Sequence, residues 1–297
     1  TTTQPPSSIT INVVTPWVGS FATETAVAIG DDGNPVVVYD PLYLAVCSDS
    51  VCENSTRRVI EEKSFSGASV AIGTDGNPVI SYTTPGLRVA ACADPSCASF
   101  TTTTIDEIGS PGAGTSIAIG TDGNPVISYM VSDCCYIGNT YTRTTPHLRV
   151  AKCSNPTCTS STHVSVDSQT ATGWPNARVG EKSSLAIGTD GNPVISYLDD
   201  TNETLKVAVC GDPACTSATL RTLDATGHNT HGFDQTSIVI VDGRPVISYF
   251  VSTAQYGADG TLNVAACTDP TCSSATITAL DSYGTNSAIT LDANGLP

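Results

Sequence analysis

The stretch SVAIGTDGNPVISY, residues 69–82, decides the fold. It returns as SIAIGTDGNPVISY (116–129) and SLAIGTDGNPVISY (184–197), and in looser form as AVAIGDDGNPVVVY (26–39) and SIVIVDGRPVISY (237–249). A final partial copy, SAITLDANGLP, occupies 287–297. Behind each full copy stands a second block: LYLAVCSDSVC (42–52), LRVAACADPSC (87–97), LRVAKCSNPTC (148–158), LKVAVCGDPAC (205–215) and LNVAACTDPTC (262–272). A Thr/Ser-rich stretch ending near an acid closes each unit. Internal recurrence with a period of about 45 to 65 residues marks a repeat architecture.

Each unit reads as four short strands, A to D. Strand A alternates small and apolar residues, as in Ser116, Ile117, Ala118 and Ile119. The turn Thr-Asp-Gly-Asn follows, with a proline opening strand B. Asp and Gly suit tight turns, and proline at a strand's first residue removes no needed ladder donor. Strands B and C are β-branched and apolar, and strand D is Thr-rich, as befits a partly wet edge. Helical periodicity is absent. Four-stranded units at this period are propeller blades, and the small residues of strand A fit where innermost strands converge on a channel. The expectation is an all-β propeller of five complete blades (24–63, 66–107, 114–167, 181–224 and 235–282). A partial sixth combines 286–297 with a strand at 10–16, making six blades, and residues 1–9 form an N-terminal arm.

The 297 residues are 39% hydrophobic and 13% charged, with 28 acids against 12 bases and a net charge of −16. Such a field repels phosphate backbones, so nucleic acid is excluded as a partner. No apolar run approaches the ~20 residues that span a bilayer, so no membrane insertion is expected. The 12 cysteines point to an oxidising compartment and an exported, extracellular or cell-surface protein. Five pairs share one spacing and read as disulfides: Cys47–Cys52, Cys92–Cys97, Cys153–Cys158, Cys210–Cys215 and Cys267–Cys272. Zinc would need the closer C-x₂-C spacing and ligands from one blade. The adjacent Cys134 and Cys135 read as a vicinal disulfide. Asn54 and Asn202 lie in glycosylation sequons.

Candidate binding residues come from the loops that differ between repeats, since variable loops on a rigid scaffold carry function. They are Tyr136, Tyr141 and Arg143 in an expanded B–C loop, Trp174 and Arg178 in the next D–A loop, His228, His231 and Phe233 in the one after, and Tyr256 in the fifth unit. No metal site or cofactor is expected: Asp32, Asp75, Asp122, Asp190 and Asp242 recur at a turn whose backbone favours Asp, which displaces calcium as their explanation. Asp106, Asp167, Asp224 and Asp281 end outer strands and are placed at the rim. The recurring Tyr39, Tyr82, Tyr129, Tyr197 and Tyr249 are assigned to packing between blades.

The pattern G-x-D-G-x-P-V-I-S-Y followed by L-[RK]-V-A-x-C-x-D-P-x-C resembles the tandem repeats of secreted and cell-surface bacterial proteins. In architecture alone it is similar to the sialidase propellers, whose S-x-D-x-G-x-x-W motif and arginine triad are missing here, so no catalytic residue is carried over. The incomplete last blade and the Thr-rich N-terminal arm point to an extracellular structural or adhesive subunit that assembles with itself, other surface proteins or glycans. A carbohydrate-binding propeller is the alternative; a glycoside hydrolase or lyase ranks below it, and no enzyme is expected.

Overall fold

The computed structural model describes residues 25–39, 41–62, 67–84, 86–107, 110–132, 134–137, 140–143, 146–168, 179–199, 202–225, 235–252, 259–283, 287–292 and 294–297. Each full repeat forms one antiparallel sheet of four strands. The first holds β1 (Thr25–Ile29), β2 (Pro35–Tyr39), β3 (Tyr43–Cys47) and β4 (Ser55–Val59), and the second β5 (Ala68–Ile72), β6 (Pro78–Thr84), β7 (Gly86–Cys92) and β8 (Phe100–Asp106). In the third, β9 (Ser110–Ile119) and β10 (Pro125–Ser132) are separated in sequence from β13 (His147–Cys153) and β14 (Ser161–Asp167) by a two-stranded hairpin, β11 (Cys134–Ile137) and β12 (Thr140–Arg143). The fourth is β15 (Val179–Ile187), β16 (Pro193–Asp199), β17 (Thr204–Cys210) and β18 (Ala218–Asp224). The fifth is β19 (Thr236–Val241), β20 (Arg244–Ser252), β21 (Asp259–Cys267) and β22 (Ala275–Tyr283).

Strands β1, β5, β9, β15 and β19 pack side by side in chain order around a central channel, so the molecule is a five-bladed β-propeller. The expected sixth blade is not seen: the described residues form five such sheets, and the strand expected at 10–16 and the arm at 1–9 lie outside those residues. Residues 287–291 line the channel but join none of those sheets. They nevertheless copy an inner strand. Ile289 N donates to Ser237 Oγ at 3.1 Å, as Ile238 N does to Ser184 Oγ at 3.3 Å and Leu185 N to Ser116 Oγ at 3.0 Å.

The core lies between blades rather than within them. Four apolar clusters join successive sheets; one carries Val36 and Leu44 against Val70, Ile80 and Tyr82, and the last carries Val194 and Leu205 against Ile247 and Tyr249. The second, third and fourth sheets therefore bury both faces, and the alternation of apolar and small residues supplies both at once.

The turns form for local reasons. Asp122 Oδ1 accepts from Asn124 N at 3.1 Å while Gly120 N donates to Asn124 O at 2.9 Å, and Gly123 takes the left-handed φ of 78° that the turn demands. The same bonds recur at Asp32, Asp75 and Asp190. The five C-x₄-C pairs are closed disulfides with Cα atoms 4.8 to 4.9 Å apart, within the span a disulfide allows. In each, the second cysteine sits at positive φ, and the Asp or Asn two residues after the first caps the loop. Asp94 Oδ1 takes the amides of Ser96 and Ala98 at 3.0 and 3.2 Å.

Candidate functional site at the channel mouth and the blade junctions

The channel encloses about 870 Å³. Its lining includes Thr115, Lys182, Ser183, Gln235, Thr236 and Ser287, contributed where the inner strands begin. Many of these hydroxyls also join neighbouring blades. Ser81 Oγ meets Thr115 Oγ1 at 2.7 Å, Ser128 meets Ser183 at 2.9 Å, and Ser196 donates to Thr236 at 2.9 Å. In the first blade both partners are replaced together: Val38 stands where the others have serine, and it packs in one cluster with Ala68. Small strand-A residues thus leave room at the axis and also carry the polar seams between blades.

The residue opening this ring has unusual backbone geometry. Gly67 and Gly114 stand there in the second and third blades with φ of 76° and 99°. A Cβ on Gly67 would come within 2.3 Å of Gly114 Cα, so glycine is obligatory there. In the fourth blade the same place holds Lys182, at φ 53°, inside the register irregularity between Glu181 and Ser184 of β15. A long cationic side chain in a conformation its neighbours reserve for glycine stores strain of order 1 kcal/mol, and such strain concentrates at functional positions. Bulges re-aim side chains; here the result is that Lys182 lines the channel in a chain of net charge −16. Its signal in the sequence is a lysine where the second and third repeats have glycine and the fifth has Gln235, which only a blade-by-blade alignment exposes.

A second constellation recurs between blades. Tyr129 Oη donates to Asp106 Oδ2 at 2.5 Å, Tyr197 to Asp167 at 2.7 Å and Tyr249 to Asp224 at 2.6 Å. Arg149 adds an ion pair to Asp106 at 2.8 Å, and Lys206 reaches Asp167. The placement of these aspartates at the rim is corrected. Asp106, Asp167 and Asp224 are buried, because the next blade's tyrosine closes over each strand end, joined by a cation at Asp106 and Asp167. The exposed Asp281 alone keeps the expected position. Burial and the bonded carboxylate push the three tyrosine hydroxyls well above their ordinary range. His163 joins the third junction, its Nδ1 2.9 Å from Tyr129 Oη, and burial lowers its pKa. These groups are saturated by one another and hold blades together.

Of the sequence-derived candidates, β11 and β12 set Tyr136 opposite Tyr141 and Cys134 opposite Arg143 in backbone register. Trp174, Arg178, His228, His231, Phe233 and Tyr256 lie outside the described residues, as do the side chains of Cys134 and Cys135. Asn54 is exposed beside a disulfide turn, with its amide N donating to Asp49 Oδ2 at 3.1 Å. The Asn202 side chain donates to the buried Asp199 at 2.8 Å. Among the described residues no three His, Cys, Asp or Glu side chains gather as a metal site, and no helix is long and apolar enough to cross a membrane.

Geometry of this kind defines a class, the five-bladed propellers, and the fold is similar to that of several solved structures. The chain matches a protein of unknown function from Dyadobacter fermentans with TM-score 0.54 and 14% identity over 87% of this chain and 82% of that one. It matches a thermostable family-43 glycoside hydrolase with TM-score 0.51 and 11% identity over 78% and 80%. A family PL25 ulvan lyase bound to -[GlcA(1-4)Rha3S]- matches with TM-score 0.53 and 11% identity over 87% and 68%. At these identities the likeness concerns the fold. No protein-family model matches the chain, and no curated protein does.

The expectation of a structural, self-assembling subunit is corrected by these comparisons: two of the three structures are carbohydrate-active enzymes.

Proposed function

We propose that this chain is an exported carbohydrate-binding propeller that takes a polysaccharide with an anionic substituent at the channel mouth. The observation that carries the reading is Lys182, held in the ring that lines the channel at a left-handed φ that the second and third blades give to glycine. Around it stand the Gln235 amide and the hydroxyls of Thr115, Ser183 and Thr236, groups suited to sugar hydroxyls. An ammonium among them selects a carboxylate or sulfate.

Binding is favoured over cleavage for a chemical reason. Glycoside hydrolysis uses two carboxylates about 5 to 10 Å apart across the scissile bond, whereas the described channel lining offers hydroxyls, an amide and an ammonium. Five disulfides fit an oxidising, extracellular setting, as does the repeat's resemblance to secreted bacterial proteins. The loops with Tyr141, Trp174 and His231 are proposed to extend the sugar contact beyond the mouth.

The test is a glycan array of neutral, uronic-acid and sulfated polysaccharides probed with wild type and Lys182→Met. Retention of anionic glycans by wild type, weakened at least tenfold in the variant, supports the reading. Binding to no glycan, or equal binding by both proteins, overturns it.

A further inference from the structure

Below its mouth the channel wall carries an arc of hydroxyls. Ser69 Oγ accepts the Ile117 amide at 3.3 Å, Ser116 Oγ the Leu185 amide at 3.0 Å and Ser184 Oγ the Ile238 amide at 3.3 Å. These serines occupy one position on β5, β9 and β15, inner strands that pack side by side, and all three line the channel. An oxygen that accepts an amide hydrogen still carries its own hydrogen. Among the described residues none of the three gives that hydrogen to a protein acceptor. Ser237, next in line, accepts the Ile289 amide and turns its hydrogen to Ile289 O at 3.5 Å.

Capping amides is not the whole account of these serines. In the first blade Ala26 stands at their position, and the amide of Val70, the counterpart of Ile117, does without a hydroxyl. The fold therefore tolerates alanine there, yet three successive blades present hydroxyls to the channel.

We infer that the anionic substituent taken by this channel is a sulfate ester, its terminal oxygens held by the Ser69, Ser116 and Ser184 hydroxyls below Lys182. The inference rests on the reading of the mouth as a polysaccharide site and narrows the substituent. Lys182 lines the channel two residues before Ser184 on β15, roughly 7 Å nearer the mouth given the rise per strand residue. A uronate carboxylate is bonded directly to its sugar ring and offers two coplanar oxygens, which an ammonium at the mouth satisfies. A sulfate ester stands off the ring through a bridging oxygen and fans out three terminal oxygens. It reaches deeper, and it has an acceptor for each hydroxyl of the arc. Hydrogen bonds to an ionised acceptor are the stronger kind. In a chain of net charge −16 an anion is held by such local donors and not by the overall field.

The test is retention on sulfated polysaccharides (chondroitin sulfate, carrageenan) and on uronate-only ones (desulfated chondroitin, alginate). Wild type is compared with Lys182→Met and with Ser116→Ala and Ser184→Ala, singly and together, beside thermal melts. Wild type is expected to hold at least one sulfated glycan tenfold or more tighter than either uronate-only one, and the alanine variants should lose that preference. Uronate-only glycans held as tightly as sulfated ones overturn the inference; if Lys182→Met weakens both, the reading of the mouth still stands. A preference unchanged in the alanine variants, with only the melting temperature lowered, also overturns it, since the serines then act as amide caps alone. Binding to neither class overturns the inference together with the reading on which it rests.

Discussion

Tyr197 Oη donates to Asp167 Oδ2 across 2.7 Å, joining the second strand of the fourth blade to the outer strand end of the third. Lys206 reaches the same carboxylate from strand C. One carboxylate thus receives a phenol and an ammonium from the neighbouring sheet, out of water. This contact, with its counterparts at Asp106 and Asp224, fixes how blades lean on one another.

Tyr197→Phe removes a hydrogen bond to a buried carboxylate and is expected to cost about 1.5 to 3 kcal/mol. Asp167→Ala should cost more, about 3 kcal/mol, because it takes the nearer carboxylate from a buried ammonium and leaves it only Asp199 at 3.7 Å. Denaturant unfolding of both single variants and the double variant measures this. The double variant should fall well short of the sum, since both changes break one network.

Each disulfide closes a short loop within its own blade. On the chain-entropy relation, removing Cys210–Cys215 as the paired serine variant should cost about 2 kcal/mol. Removing Cys92–Cys97 as well should roughly double the loss, the sites being in separate blades. Thermal melts of the single and double removals read this directly.

Acid should loosen the stapled turns before the blades. Hydrogen bonds from Ser96 and the Ala98 amide hold Asp94 below the usual carboxylate range, Thr216 does so for Asp212, and Ser273 and Thr271 do so for Asp269. A folded-state pKa below the unfolded one means the contribution is complete above the unfolded value, near 4, and fades as pH falls through the folded value. Asp94→Asn should therefore lower the melting temperature at pH 7, and its difference from wild type should shrink toward pH 2.

The blades and sulfur pairs were legible in sequence because their causes are local: an aspartate two residues from the amide it caps, cysteines five apart, a proline at a strand start. Asp106 was misplaced for the opposite reason. Its burial is set by Tyr129 and Arg149, on a sheet the chain reaches only later, and no local pattern carries that. The Val38 and Ala68 replacement could have been read by aligning blades column by column, as could Lys182 in line with Gly67 and Gly114. Blade number was obscured because 287–297 repeats strand A and its turn faithfully, yet forms no four-stranded sheet in the structure.

The channel mouth is tested most directly by titrating Lys182→Gly against wild type with the best glycan from the array, alongside thermal melts. Glycine relieves the φ of 53° and removes the ammonium. The account predicts a melting temperature equal to or above wild type, together with at least tenfold weaker binding of anionic glycan. A variant that binds as tightly as wild type would contradict it.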